Sequence, residues 1–444
     1  MKGTSKPRRQ LGLFDATMIV MGGIVGAGIF ANPSEVAHRV HTPFLILGVW
    51  VLGGLFAMYG AFIWAELATR LPAAGGQYLY LREAYHPAVA FVYGWGLLLI
   101  TQTGGMAAVA VIFASYLRAL TGAAWNEGAV ASLALLMLTG INCFGARVGS
   151  NVQSALMLLK IGAIAALVLI GFAVSHPVAA GLKSEGLLGQ PTSFGLLKSI
   201  GAAMVPIAFA YGGWQTATFI AGEMRDAGRD LSRGLLIGVA GVVVLYLTVN
   251  LACVRVLGPA GLNVTTTPAS DVMRIALGER GAQWIAAGIA ISTLGFLSQS
   301  MLTAPRVYYA MARDGLFFQS VGKLFGKAGA PVVAIVLQGL AAMIIALSGT
   351  YGEILNFEVT IDFIFFGMTA ASLFILRRRS IGSHSVLYQV PGHPLTTMLF
   401  VLSCAGIVVS AIIASPRNST IALCIMLAAL PVYYFWTRFS RAHS

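Results

Sequence analysis

The sequence predicts an all-α integral membrane protein with twelve transmembrane helices, and three observations support that fold class. Only 10% of the 444 residues are charged, whereas a soluble globular chain carries about 25%. In contrast, 58% are hydrophobic and the mean hydropathy is +0.83. The apolar residues also form runs of about 20, the length that crosses a bilayer. So few polar side chains cannot cover this apolar surface in water, which excludes a soluble enzyme, a disordered chain and a nucleic-acid-binding protein.

Twelve apolar segments are the candidate spans, numbered 1 to 12 in chain order. They lie near residues 12–37, 43–69, 88–119, 129–146, 151–175, 196–222, 233–257, 281–310, 331–350, 354–376, 395–415 and 418–438. The third and eighth are long enough to indicate tilt or extension beyond the bilayer. Because the polar stretches between spans are short, we expect residues 1–444 to form a single transmembrane domain. No Walker loop is present, which argues against coupling to ATP hydrolysis.

The 28 lysines and arginines are distributed unevenly over the two sides of such a bundle. With an even number of spans both termini share one side, which collects 19 basic residues against 8 on the other, and Lys160 lies inside span 5. Cytoplasmic loops carry the excess of basic residues in membrane proteins. The distribution therefore predicts a multi-pass protein of the cell (inner or plasma) membrane with both termini in the cytoplasm. The net charge of +13 then reflects topology and does not indicate an acidic partner.

Glycine-rich stretches interrupt spans 1 and 6. The first reads GGIVGAGIF at 22–30, and the second reads FAYGGW at 209–214, shortly after Pro206. A single stretch would indicate close helix packing, for which glycine is common in membranes. Two stretches at corresponding positions of two five-helix halves instead predict discontinuous helices at the substrate site of an inverted-repeat transporter. Unwound helix offers N–H groups to an anion and carbonyls to an ammonium, so a zwitterion suits both.

Several segments resemble one transporter family. GLFDATMIVMGGIVGAGIF is similar to the start of amino acid–polyamine–organocation (APC) superfamily transporters. Likeness to their L-type amino acid transporter branch is carried by ELATRLPAAGGQYLYLREAY, AFAYGGWQTATFIAGEMRDAGRDLSRGLLIG, ISTLGFLSQSMLTAPRVYYAMARDGLF and, more weakly, FILRRR. The resemblance implies a LeuT-like fold with discontinuous helices 1 and 6. In that fold, residues 11–175 form the first five-helix repeat, 196–376 the second, inverted repeat, and 395–438 helices 11 and 12.

The resemblance also implies a substrate site at the two interruptions. The backbone N–H groups of residues 27–29 are expected to meet the carboxylate of an amino acid, and the carbonyls of Ile24 and of residues 209–211 its ammonium. The expected substrate-binding residues are Ile24, Gly26, Ala27, Gly28, Ile29, Phe209, Ala210, Tyr211, Gly213, Gln215 and Ser298.

Four of these residues carry a further expectation. Phe209 resembles the aromatic gate that covers bound substrate in this branch, with packing at a helix contact as the alternative. Gln215 is expected to touch substrate or gate, because intramembrane polar groups usually face the bundle interior. At Ala27 many relatives have serine, so a hydroxyl donor is missing, and Ser298 stands where relatives often have asparagine.

Lys160 is the basic residue that topology does not explain. It lies nine residues past Asn151, or roughly 13 Å into the helix at about 1.5 Å per residue. A lysine at such depth costs about 2.5–3.5 kcal/mol on insertion scales. By resemblance its ammonium takes the place of a sodium ion and bridges the span 1 break to span 8, which implies sodium-independent transport. The sequence leaves three roles open for Lys160. It carries a coupled proton, or it stays charged and tunes the two open states, or it only caps nearby carbonyls.

The expected activity is exchange of neutral L-amino acids by alternating access. No carboxylate lies in the middle of spans 1, 3, 6 or 8 to balance a cationic side chain; Asp362 in span 10 has no assigned role. The alternatives are a proton-coupled symporter and, from a different class, a membrane amino-acid sensor. No histidine pairs with an intramembrane acid, so neither an enzyme nor a cofactor or metal is expected.

The expected partners are the amino acid and membrane lipid. Cysteine is absent from the loop between spans 3 and 4, so no disulfide-linked heavy chain is expected. The four cysteines are interpreted as buried small hydrophobes.

Overall fold

The computed structural model describes residues 7–174, 194–348, 351–383 and 386–442. In these ranges the chain is helical, and its only β pairing consists of two isolated bridges, Leu11 with Met224 and Phe325 with Ala330. Lys2, Lys6 and Lys183, which belong to the count of basic residues, lie outside the described ranges.

The described helices match the twelve predicted spans. Nine segments are long and apolar enough to cross a membrane, a bent pair supplies a tenth span, and two shorter apolar helices supply spans 4 and 9. In chain order the spans are Leu13–Ile24 with Gly28–Ala37, Pro43–Arg70, Pro87–Thr121, Glu127–Cys143, Ala146–Ala173, Phe194–Tyr211 with Trp214–Glu223, Ser232–Val264, Glu279–Thr303, Val332–Ser348, Tyr351–Arg378, Leu395–Ala414 and Pro416–Ala442. The prediction of an all-α multi-pass membrane protein is confirmed.

Short helices also lie between spans, and they include two that were not predicted. Helix Gln77–Ala84 begins at Gly76, whose φ of 45° requires glycine, and connects span 2 to span 3. Helix Pro268–Leu277 connects span 7 to span 8 and buries Val272 and Met273. Both are too short and too polar to resemble a span, so apolar length does not predict them.

Small residues let span 1 approach span 7 closely. A Cβ atom at Gly234 would lie 2.6 Å from the Ala16 side chain, and one at Gly238 would lie 2.7 Å from that of Val20. Membrane helices associate through such close van der Waals contacts, because lipid is as apolar as the side chains and no hydrophobic effect drives the helices together. Span 7 is thereby held directly against the broken span 1.

Candidate substrate-binding site

Span 1 is interrupted after Ile24. Its two helical parts, Leu13–Ile24 and Gly28–Ala37, are bent by 43°, and Val25 between them is extended, with ψ at 93°. The second part begins after Ala27 without a side-chain cap. The first N–H groups of a helix have no partner within the helix, so those of this part are available to another group.

Span 6 is interrupted at Gly212 and Gly213. Gly213 has a φ of 107°, a left-handed conformation that favours glycine, and the chain continues as the 3₁₀ helix Trp214–Glu223. Side chains that follow the break satisfy its main-chain groups. The Gly213 N–H donates to Gln215 Oε1 at 3.0 Å, and Thr216 Oγ1 donates to the Gly213 carbonyl at 2.7 Å. The prediction of discontinuous helices 1 and 6 is confirmed.

The two interruptions lie directly against each other. A Cβ atom at Gly213 would lie 2.0 Å from the Gly23 carbonyl oxygen, and one at Gly23 would lie 2.7 Å from the Gly213 carbonyl oxygen. No residue with a side chain fits such backbone contact without displacement. The glycines of the two sequence motifs are therefore needed because the two backbones meet.

A cavity of about 130 Å³ opens where the two breaks meet. Ligand pockets for drug-sized molecules usually measure about 300–1,000 Å³, so this volume suits a smaller ligand. Eight of the eleven expected binding residues line it: Ile24, Gly26, Ala27, Gly28, Phe209, Ala210, Gly213 and Gln215. We call these eight residues the break wall.

The other three expected residues are outside the cavity lining. Ile29 and Ser298 are fully buried, and Ser298 Oγ has no hydrogen-bond partner among the described residues. The Tyr211 hydroxyl donates to the Trp50 carbonyl at 3.2 Å, so its side chain packs between spans 2 and 6. Their assignment to substrate binding stays a prediction.

Phe209 and Gln215 differ in how they meet the cavity. The Phe209 side chain is 40% exposed, although phenylalanine at a helix contact would be buried. Gln215 is 6% exposed, and its side-chain oxygen already accepts a hydrogen bond from the Gly213 N–H at the span 6 break. The structure thus gives Gln215 a role in holding the span 6 interruption.

Lys160 lies next to the span 1 break. Its side chain is 1% exposed, its ammonium donates to the Val25 carbonyl, and its stem passes Gly295 of span 8, where a Cβ atom would lie 2.5 Å from Lys160 Cε. A direct hydrogen-bonded link between spans 1 and 8 comes instead from Ser292, whose hydroxyl donates to the Gly26 carbonyl at 3.1 Å. Within the described ranges Lys160 therefore meets span 8 by packing.

Tyr246 of span 7 is a site residue that the sequence analysis missed. Its hydroxyl lies 3.0 Å from the Ile24 carbonyl oxygen and 3.1 Å from that of Ala210, and so it joins the two breaks. A carbonyl oxygen has two lone pairs, so each can accept a second donor. The sequence signal that could have identified Tyr246 was a tyrosine inside an apolar run. Its hydrogen-bond partners could not be predicted, because they depend on how span 7 packs.

Two carboxylates in the cavity were also missed as site residues. Glu358 and Asp362 of span 10 line it, together with Gln102 and Gly105 of span 3. We call these four residues the acidic wall. The prediction of neutral substrates rested on the absence of acids from the middle of spans 1, 3, 6 and 8 only. The four-residue spacing of the two acids, which places both on one helix face, was the signal that span 10 offered.

Other acidic residues form ion pairs where span 1 begins. The pairs include Arg306–Glu223 at 2.7 Å, Arg70–Glu66 at 2.8 Å, Arg147–Asp15 at 3.0 Å and Arg82–Asp314. The Tyr78 hydroxyl donates to Asp314 at 2.8 Å, and burial together with that carboxylate raises the pKa of Tyr78 above its usual value.

Comparison with known proteins identifies the family. The family model described as "Amino acid permease" matches residues 11–440. The serine/threonine exchanger SteT of Bacillus subtilis (strain 168) is 29% identical over 437 residues, which cover 96% of each chain. The mouse b(0,+)-type amino acid transporter 1 is 28% identical, covering 84% of this chain and 77% of its own. The human large neutral amino acids transporter small subunit 2 is 26% identical, covering 96% and 80%.

These matches agree with the discontinuous spans 1 and 6 and with a LeuT-like fold of twelve spans. They also name transporters and no enzyme. The chain therefore belongs to the amino acid permease family of the APC superfamily and is similar to its L-type branch.

Proposed function

We propose that this transporter exchanges neutral L-amino acids across the cell membrane by alternating access, without sodium. The observation that carries the proposal is the contact of two interrupted helices at a small cavity. In inverted-repeat transporters substrate sites lie at such paired interruptions. The serine/threonine exchanger among the relatives supports exchange and a neutral substrate.

The break wall supplies main-chain groups for both ends of a zwitterion. The N–H groups of residues 27–29 bind the carboxylate, because they begin a helix that has no side-chain cap. The carbonyls of Ile24 and of residues 209–211 accept from the ammonium. Phe209, whose ring is partly exposed, serves as the gate over bound substrate.

Lys160 holds the span 1 break in place of a sodium ion. Its ammonium is buried and donates to the Val25 carbonyl, so a side chain of the protein already stabilises the exposed main chain. A sodium ion at the same carbonyl would add a second positive charge to a site of low dielectric constant. This arrangement supports sodium-independent transport.

The proposal includes topology and partners. Both termini lie in the cytoplasm, with residues 11–175 and 196–376 as the inverted repeats and 395–438 as the two additional helices. No covalent heavy chain is required, because the loop between spans 3 and 4 has no cysteine.

Purified protein in liposomes tests the proposal. Uptake of radiolabelled leucine and serine is measured with and without internal amino acid, with sodium or choline outside, and with or without an inward acid gradient. Exchange predicts uptake that requires internal amino acid and is unaffected by sodium. Uptake that requires the acid gradient and no internal substrate would indicate a proton symporter. Binding without any uptake would indicate a sensor, and liposomes without protein are the control.

A further inference from the structure

Glu358 and Asp362 give the cavity two acidic side chains that have no ion-pair or hydrogen-bond partner in the described structure. They are four residues apart on span 10, so they share one helix face, and both line the cavity. Neither forms an ion pair or hydrogen bond with another described residue. The Glu358 carboxylate lies over Gly105, where a Cβ atom would be 3.4 Å and 3.5 Å from its two oxygens.

The described lining of the cavity contains no lysine or arginine that balances these acids. Lys160 is outside the lining and donates to the Val25 carbonyl at the span 1 break. The buried acid Glu223, in contrast, is paired with Arg306 at 2.7 Å. A buried carboxylate without a counter-charge is unfavourable, so a cationic ligand is the natural complement of this wall.

Unpaired acceptor atoms at the cavity point to the same class of ligand. Gln102 Oε1, Gln299 Oε1 and Glu358 Oε2 are buried acceptor atoms without a donor among the described residues, and all three side chains line the cavity. Gln299 is 1% exposed. An ammonium brings three donors and no acceptor, and a guanidinium brings five donors. A cationic head group therefore satisfies both the charge and the free acceptors.

We propose that Glu358 and Asp362 form a subsite for the cationic end of a substrate side chain, so that the protein transports lysine-like and arginine-like amino acids as well as neutral ones. This inference rests on the proposed function, because it places the common part of the amino acid at the break wall. The side chain then extends across the cavity to the acidic wall. The prediction of neutral substrates took no account of acids in span 10. With Glu358 and Asp362, the proposed substrate range also includes cationic amino acids.

The test compares lysine and leucine uptake by proteoliposomes that contain internal leucine. Wild-type protein and the variants Glu358→Gln, Asp362→Asn and the double variant are measured for both substrates. The wild type is expected to take up lysine. Each variant is expected to lower the lysine-to-leucine ratio of kcat/KM by about tenfold or more, the usual effect of losing a charge-assisted contact. Glu279→Gln is the matched control, because Glu279 is 77% exposed and its loss leaves the ratio unchanged.

Three outcomes would overturn the inference. In the first, the wild type exchanges leucine, but lysine and arginine are neither transported nor inhibitory. The protein then has no cationic subsite, although the proposed exchange function would stand. Variants that lose leucine and lysine uptake equally would assign the pair a general role. Variants that lose only acid-driven leucine uptake would make it a proton site. Absence of uptake of every amino acid would contradict the proposed function itself. Competition by lysine against leucine in the wild type decides the inference even if a variant fails to fold.

Discussion

The two walls of the cavity present different kinds of polar group. The break wall offers main-chain N–H and carbonyl groups that glycines expose, and Tyr246 and Lys160 hold it from behind. The acidic wall offers side chains, Glu358 and Asp362, which no described residue holds. One wall is therefore fixed by contacts within the protein, whereas the other is left to be completed by a ligand.

This difference separates two tasks of recognition. Every amino acid has the same ammonium and carboxylate, so main-chain groups can bind them all with one geometry. Side chains differ, and side-chain groups in the wall can distinguish them. Changes at the break wall should therefore affect all substrates alike, whereas changes at the acidic wall should alter the ratio between substrates. Four substitutions around the break wall test the first half of this comparison.

Gly213→Ala should have the largest effect. The added Cβ atom would lie 2.0 Å from the Gly23 carbonyl oxygen, at a residue with a φ of 107°. Left-handed backbone and overpacking together cost about 2–5 kcal/mol, so exchange of leucine and lysine should both fall by about 100-fold or more. Initial uptake rates, normalised to protein inserted in the liposomes, measure it.

Gly162→Ala is the matched control for that substitution. Gly162 lies in span 5 with nothing within 4 Å of an added Cβ atom, so this variant should transport normally. Wild-type exchange by Gly213→Ala would contradict the close contact of the two breaks. Thermal unfolding in detergent shows whether the variant also loses stability.

Lys160→Ala should have the second largest effect. It removes the charged donor to the Val25 carbonyl, a buried contact of a type that contributes about 1.5–3 kcal/mol. Uptake of both substrates should fall by about tenfold or more while the protein remains folded. Lys160→Met keeps much of the side-chain volume without the charge and should be equally impaired. Rescue by methionine would reduce Lys160 to a packing role, and normal uptake by Lys160→Ala would refute any role in transport.

The sequence predicted the parts of this site that depend on local signals. A lysine within an apolar run is conspicuous because its burial is costly, and Lys160 lies at the break. The paired glycine stretches at residues 22–30 and 209–214 indicated two interruptions because their positions match in the two halves. The twelve spans followed from apolar length alone.

Residues placed by tertiary packing could not be predicted in the same way. Tyr246 joins the two breaks only because Gly234 and Gly238 bring span 7 against span 1. Asp362 was conspicuous in the sequence, but its position in the cavity lining depends on how span 10 packs beside span 3. Tyr211 adjoins the span 6 break in sequence, yet its hydroxyl turns to Trp50.

Tyr246→Phe should have a smaller effect. It removes the hydroxyl that lies 3.0 Å and 3.1 Å from the Ile24 and Ala210 carbonyl oxygens, while the ring and its packing remain. A typical hydrogen bond contributes about 0.5–1.5 kcal/mol, so uptake should fall by about three- to tenfold. Because the break wall is proposed to bind what all amino acids share, the lysine-to-leucine ratio should not change. A changed ratio would show that the two walls are not independent.

Ala27→Ser should have the smallest effect, and in the opposite direction. The helix Gly28–Ala37 begins at Ala27 without a side-chain cap, and serine adds a hydroxyl beside the N–H groups that are proposed to bind the carboxylate. Ala27 has helical φ and ψ of −78° and −22°, whereas a capping serine prefers extended backbone. The gain should therefore stay near the lower end of cap energies, about 0.5 kcal/mol, or roughly a twofold lower KM. Leucine and lysine should gain equally, since the hydroxyl meets the part they share. A gain confined to one of them would place a side chain, and not the carboxylate, at the start of this helix.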